Sequence, residues 1–316
     1  MFLYHYTQLN TSQKKMYDAI YQGATNFDKT VSFPCAFGAS SSGLQKVIYA
    51  LQEDHPELFY LDFSISITGG LGFTTAHLKY LFKKEEAKKY KNQLSSVLNR
   101  IVAKAKTIKG EYEKVLFVHD LLAENIVYDL NAPNAHNALG TLVDGRAVCQ
   151  GISYAVKMIF DELGIDSTSV SGEVNTRLNR GPHSWNLVKV NNRWYHLDVT
   201  LDLKQNGTVF HTYFLLNDDD AMIHHRYREK TNIECKYIND NYFYRNKAFF
   251  TKFEDAADYI VKELKTKGKA EVKMLKIGYD DATQKLMRAI SKRSHQMISY
   301  FVSSNVDFQV YIAFKR

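Results

Sequence analysis

The stretch "GPHSWNLVKVNNRWYHLDVT" (181–200) limits the possible folds more than any other part of the chain. Apolar and polar residues alternate on both sides of Asn191-Asn192, the period of a half-buried strand, and an Asn pair suits a two-residue hairpin turn. With Val190 opposite Arg193, the register sets Trp185 against Asp198 and His183 against Thr200. Directly opposed residues share a face, as do residues two apart on one strand, so His183 and Asp198 become diagonal neighbours. Their backbones would stand roughly 7–8 Å apart, a gap that an imidazole and a carboxylate can close with a hydrogen bond. A four-residue loop would preserve this pairing, and an odd-length loop would break it.

A second stretch, "AVCQGISYA" (147–155), opens a helical pattern in which Ile152, Ala155, Val156, Ile159, Phe160 and Leu163 form one apolar stripe. Cys149 therefore falls at or near a helix N-terminus. Unpaired backbone N–H groups and the positive end of the helix dipole there favour a thiolate. The plainer alternative is a buried core cysteine, since free Cys is among the most buried residue types. A cysteine nucleophile needs a base and a third group that orients the base, and the hairpin offers His183 and Asp198 for those two tasks. A helix with Cys149 at its start, packed across the His183 face, would complete the set.

The remaining composition narrows the class. With 316 residues, 45% of them hydrophobic, the chain can bury a core and is long enough for two or three units. The net charge is +7, yet segments such as "FKKEEAKKYK" (82–91) mix both signs like a solvated helix face, which argues against a nucleic-acid partner. Cys35, Cys149 and Cys235 are an odd number at wide spacing, so at least one thiol stays free. No apolar run approaches the roughly 20 residues that span a bilayer. "MFLYHYTQLN" lacks the layout of a signal peptide. A cytoplasmic protein is expected from the chain as written, or a secreted or cell-surface one if a signal segment was removed.

Along the chain, "TSQKKMYDAIYQ" reads as a helix with a hydroxyl N-cap, "SSSGLQKVIYALQEDHPELF" as a second helix and "YLDFSISITGG" as a strand. "GASSSG" (38–43) and "TGGLG" (68–72) read as turns, because neither has the pattern of a phosphate-binding loop. Residues 82–128 are helical, with stripes Val97-Leu98-Ile101-Val102-Ala105 and Val115-His119-Leu122-Ile126. A loop covers 129–140, and after the Cys149 helix the period changes to two in "STSVSGEV", the hairpin and "HTYFLL". From about 240 a separate α+β pattern begins, with helices near 253–264 and 281–293 and strand-like "AEVKMLKI" and "DFQVYIAF". The expected units are an N-terminal α+β region at 1–81, a core at 82–238 and a small α+β domain at 239–316.

"GRAVCQGISYA", the hairpin and the subsequent "YFLLNDD" together resemble the transglutaminase-like superfamily, in particular bacterial members of the transglutaminase-core type. Cys, H-x-W-N and W-Y-H-x-D-x-T occur in the family's order over about 110–222, and "DHPELFYLD" (54–62) is similar to the N-terminal segments of some members. The resemblance implies an α+β fold with a papain-like core, in which a helix bearing Cys packs on an antiparallel sheet. It implies acyl transfer on amides, with Cys149 as nucleophile, His183 as base and Asp198 as its orienting partner, and a protein or peptide substrate, cell-wall peptide included. Val148 and Gln150 stand where calcium-dependent animal transglutaminases carry a Trp-containing motif, which weighs against true protein cross-linking and against a calcium requirement. The same core serves proteases, amidases and inactive members.

The backbone N–H of Cys149 is the natural first oxyanion donor. Gln150, Tyr128 and Asn137 are candidates for the second, and Trp185 and Trp194 suit the core, although either could wall the cleft. His196 shares the face of Asp198 and suits a packing or supporting role. His211, His224 and His225 show no ligand at metal spacing, so no metal and no other cofactor is expected. "NDDDAM" (217–222) reads as a helix start, and Cys35 and Cys235 as inert thiols.

Overall fold

The computed structural model describes residues 1–35, 41–69, 72–176, 179–205, 207–275, 281–294, 298–304 and 308–315. The "GASSSG" and "TGGLG" turn readings lie partly outside these residues, and the Cys35 side chain lies wholly outside them. The chain opens with α1 (Tyr4–Thr7), α2 (Thr11–Asn26), β1 (Thr30–Cys35), α3 (Ser41–Asp54), β2 (Leu61–Gly69) and β3 (Gly72–Tyr80). Asn10, not the Thr11 hydroxyl, caps α2. Its side chain accepts from the Gln13 N–H while the Gln13 side chain accepts from the Asn10 N–H, so two orphan donors are satisfied reciprocally. The three strands form a sheet in the order β1-β3-β2.

Two long helices come next, α4 (Lys84–Lys106) and α5 (Glu111–Asn125), then β4 (Val127–Tyr128), the loop at 129–140, β5 (Arg146–Ala147) and α6 (Cys149–Leu163). A five-stranded sheet is built from β6 (Ser167–Asn175), β7 (Arg180–Val190), β8 (Arg193–Leu197), β9 (Phe214–Leu216) and, after α7 (Asp218–Ala221), β10 (His225–Tyr227). Its order is β10-β6-β7-β8-β9 and every pairing in it is antiparallel. The last third holds α8 (Tyr242–Arg245), β11 (Phe249–Phe250), α9 (Phe253–Lys267), β12 (Lys269–Leu275), α10 (Ala282–Ser291), β13 (Ile298–Ser304) and β14 (Phe308–Lys315), with a sheet ordered β11-β12-β14-β13.

The hairpin has the register derived from its parity. Val190 pairs with Arg193 and Asn186 with Leu197, and Asn191 and Asn192 both take positive φ (51° and 63°), as a type I′ turn requires. One expectation is corrected here. α6 does not cross the His183 face but packs on the opposite one, where Asn186 Nδ2 donates to the Ser153 carbonyl at 2.9 Å and Val188 joins the main core. The His183 face is occupied instead by Trp185, Val170, Leu187 and Cys235, which form their own small apolar cluster. That cluster and the main core compete for the two faces of β7, and the longer apolar stripe of α6 takes the face richer in Val and Leu.

One apolar core runs from Leu9 to Leu215, so the first 81 residues pack into the same interior as α4–α6 and the five-stranded sheet. The last third has a separate core around Ile260, Val272, Leu286 and Tyr311. Among the described residues no helix is long and apolar enough to cross a membrane.

Candidate active site

Cys149 is the first residue of α6, with Val148 as an extended N-cap that contributes no side-chain bond. The helix start is pressed against the 129–140 loop, since a Cβ at Gly151 would lie 2.4 Å from the Ala135 carbonyl oxygen. Only glycine allows this approach, which holds Cys149 at the rim of the sheet. β8 ends at Leu197, opposite Asn186, and leaves the edge of β7 open at His183 and Ser184. The thiol sits at that open edge, in hydrogen-bonding contact with the His183 ring and the Ser184 N–H.

His183 is buried on β7, and its Nε2 lies 2.7 Å from Asp198 Oδ2. That bond leaves Nδ1 for the thiol. Asp198, just past β8 and itself buried, also accepts the Leu201 N–H on Oδ1 at 3.1 Å. Burial disfavours the His183 cation, but the charge and hydrogen bond of Asp198 and the nearby thiol outweigh it and raise the imidazole from 6.5 to about 10. Burial likewise opposes a charged Cys149, yet the His183 contact wins and the thiol is held below its ordinary value of 9. Asp198 stays well below the usual carboxylate range despite full burial, because His183 and then His225 face it. Both directions favour a thiolate–imidazolium pair backed by a carboxylate.

Residues 96–199, from the middle of α4 through the end of the hairpin, match the transglutaminase-like superfamily. The chain carries a transglutaminase-like domain. Similar solved structures include a TGase at 16% identity with a TM-score of 0.33, covering 58% of this chain and 54% of that one. A presumptive cysteine protease from Cytophaga hutchinsonii has 16% identity and a TM-score of 0.31, over 45% of this chain and 58% of its own. Menin, whose structure reveals the binding site for the Mixed Lineage Leukemia protein, has 14% identity and a TM-score of 0.30, over 56% and 38%. The chain thus spans little more than half the length of the first two. No curated protein sequence matches it.

Of the four residues considered beside Cys149, His183 and Asp198 in this transglutaminase-like domain, the fold brings one to the thiol. β4 and β5 pair in parallel, Tyr128 with Ala147, so the Tyr128 hydroxyl contacts both the Cys149 side chain and its backbone N–H. Gln150 is turned away, its Nε2 donating to the Tyr154 hydroxyl at 3.0 Å and its Oε1 meeting His136. Asn137 is spent locally, its Oδ1 accepting the Leu139 N–H at 2.9 Å. Trp185 is 1% exposed, donates from Nε1 to His196 Nδ1 at 3.0 Å, and backs His183 at a ring distance of 6.2 Å without lining the cleft. Trp194 packs against Phe2 instead, with the two rings tilted by 41°. His196 donates in turn to Asp218 at 2.9 Å, so it locks Trp185 in place.

Periodicity and spacing do not single out His225, yet it belongs to the site. Its Nε2 lies 2.8 Å from Asp198 Oδ2, the same oxygen that His183 contacts, and its Nδ1 faces the Ala221 carbonyl at 3.0 Å. It is on a strand, not on a helix, because β10 pairs with β6 at Gly172, where a Cβ would come within 2.0 Å of the Arg226 carbonyl oxygen. Carboxylates therefore do stand beside two of the three histidines for which no such neighbour was expected: Asp198 beside His225, and Asp120 and Glu271 beside His211. A cleft of about 630 Å³ opens next to His183 and Tyr128, lined further by Val127, Pro182, Leu201 and Arg180.

Proposed function

We propose that this chain is a cysteine-dependent acyl-transfer enzyme acting on protein or peptide amides. The observation that carries this is the thiol at the open edge of β7, within reach of the His183 ring whose far nitrogen is held by Asp198 at 2.7 Å. The Cys149 thiolate attacks the carbonyl carbon of a carboxamide or peptide bond. His183, already protonated, gives its proton to the departing amine as the C–N bond breaks, leaving a thioester on Sγ. An amine or a water then attacks, His183 takes its proton, and the acyl group leaves Cys149 as a new amide or an acid. Asp198 holds the imidazole and stabilises its cation throughout.

The developing oxyanion would take its first donor from the Cys149 N–H and its second from the Tyr128 hydroxyl, which already lies against both the thiol and that N–H. Tyr128→Phe should lower turnover on the order of 10²–10³, the usual cost of one such donor, with Cys149 alkylation little changed. A variant turning over at the parent rate would give the donor role to another group.

Hydrolysis is the second reading, and one feature favours it. The tryptophans do not wall the cleft, and Glu124, Arg180 and Lys204 line it with polar groups that admit water to a thioester. We therefore expect transfer with substantial competing hydrolysis. A pool of glutamine-containing peptides supplied with a labelled primary amine distinguishes these: amine incorporation supports the transferase, deamidation or cleavage alone the hydrolase. Neither product from a broad pool, with Cys149 still reactive, would remove amides as the substrate class.

A further inference from the structure

We propose that His119, Asp120 and His211 form a binding site for a zinc-class divalent cation at the seam between the five-stranded sheet and the C-terminal sheet. His119 and Asp120 are neighbours on α5, and His211 is on the segment that leads into β9. Asp120 Oδ1 stands 2.9 Å from His119 Nδ1 and 2.9 Å from His211 Nε2, and one ligand atom from each of the three residues lies within 4.8 Å of the other two.

The outward ring nitrogens carry the second half of the pattern. His119 Nε2 lies 3.3 Å from Asp202 Oδ2, and His211 Nδ1 lies 2.7 Å from Glu271 Oε2. Each ring thus faces a carboxylate on both sides. A neutral imidazole has one N–H and one lone pair, so four hydrogen bonds to carboxylates here require either two imidazolium rings, buried and only 5.3 Å apart between centroids, or a protonated carboxyl group among the partners. A cation among the three inner atoms removes that demand. It takes a lone pair from each ring and a carboxylate oxygen from Asp120, while the outer nitrogens keep their N–H bonds to Asp202 and Glu271. Carboxylates behind histidines orient metal ligands in this way.

The ligands are held rigidly. His211 stacks on Tyr242 at 3.9 Å with 4° between the rings, and its own backbone N–H donates to Glu271 Oε1 at 3.0 Å. The Asp120 side chain is 45% exposed, which gives an ion a way in and leaves room for a water ligand. Two imidazoles and one carboxylate suit Zn²⁺ and its neighbours better than the oxygen-seeking Ca²⁺ or Mg²⁺. Since Asp202 belongs to the turn just after Asp198 and Glu271 belongs to β12, the ion would brace that turn against the C-terminal sheet.

The test is calorimetric titration of the full chain, stripped with a chelator, with Zn²⁺ alone. Binding at this site is expected, weakened at least about tenfold by Asp120→Asn and by His211→Gln, and roughly 10–100-fold by Glu271→Gln. Because Cys149 with His183 could also take zinc, Cys149→Ser is titrated in parallel and should keep the site. Co²⁺ bound to Cys149→Ser should show no thiolate charge-transfer band. Should His211→Gln fail to fold, Asp120→Asn decides, since Asp120 is half exposed on its helix. Absence of stoichiometric Zn²⁺ binding, or binding that survives Asp120→Asn and disappears in Cys149→Ser, overturns the proposal.

Discussion

Asp198→Asn is expected to lower turnover by about 10³–10⁴-fold while the fold stays intact. The substitution keeps the shape of the side chain and removes the charge that lifts His183 to about 10. It also upsets the hydrogen-bond count, because Asp198 Oδ2 receives both His183 Nε2 and His225 Nε2, at 2.7 and 2.8 Å. An amide that turns its NH₂ toward His183 forces Nε2 to accept, so the ring proton moves to Nδ1 and the ring can no longer take a proton from the thiol. An amide that presents its oxygen keeps the tautomer but loses the stabilisation of the cation. Either way the thiolate–imidazolium pair is weakened. Steady-state rates with circular dichroism on the same sample check this, and near-parental turnover would reduce Asp198 to a structural role.

Cys149 should react with iodoacetamide at neutral pH faster than Cys235 by roughly two orders of magnitude or more. Cys235 is fully buried behind Trp185, and burial first, then Asp218, pushes its thiol far above 9. Cys149 has a lowered value and partial exposure. These shifts also give the pH dependence its sign. Labelling of Cys149 should persist below the ordinary thiol range, because the thiolate is paired with a cation there. Turnover should fall as pH rises through about 10, where His183 loses the proton that the leaving amine requires. Peptide mapping after timed labelling reads the rates, and equal rates at the two cysteines in the folded protein would count against the mechanism.

A balance of local and distant information explains what could be read in the chain. The hairpin register and the helix-initial position of Cys149 depend on turn chemistry and periodicity within about 20 residues, and both are present in the structure. The face on which α6 packs depends on which surface of β7 is better filled by residues far away, and the alternation alone cannot rank two faces that are both buried. β1, β3 and β13 are equally hard to read from the chain. "TVSFPC" carries a Pro, tolerated at Pro34 because β1 is an edge strand, and "GFTTAHLKY" has weak alternation. His225 is masked by its neighbour His224 and by a helical reading of the segment, and only the β10–β6 pairing turns it toward Asp198. A His a few residues after a capped acidic turn, aligned with a strand, is the signal that points to it.

The superfamily match ends at residue 199, but Asp198 is held by groups that come later: the Leu201 N–H, the Tyr213 carbonyl that accepts the Asp198 N–H, and His225 on β10. During synthesis, then, a chain that has emerged only as far as the hairpin carries the cysteine, the imidazole and the carboxylate without the contacts that fix the carboxylate. The carboxylate would gain its His225 contact only once β10 has emerged and docked beside β6.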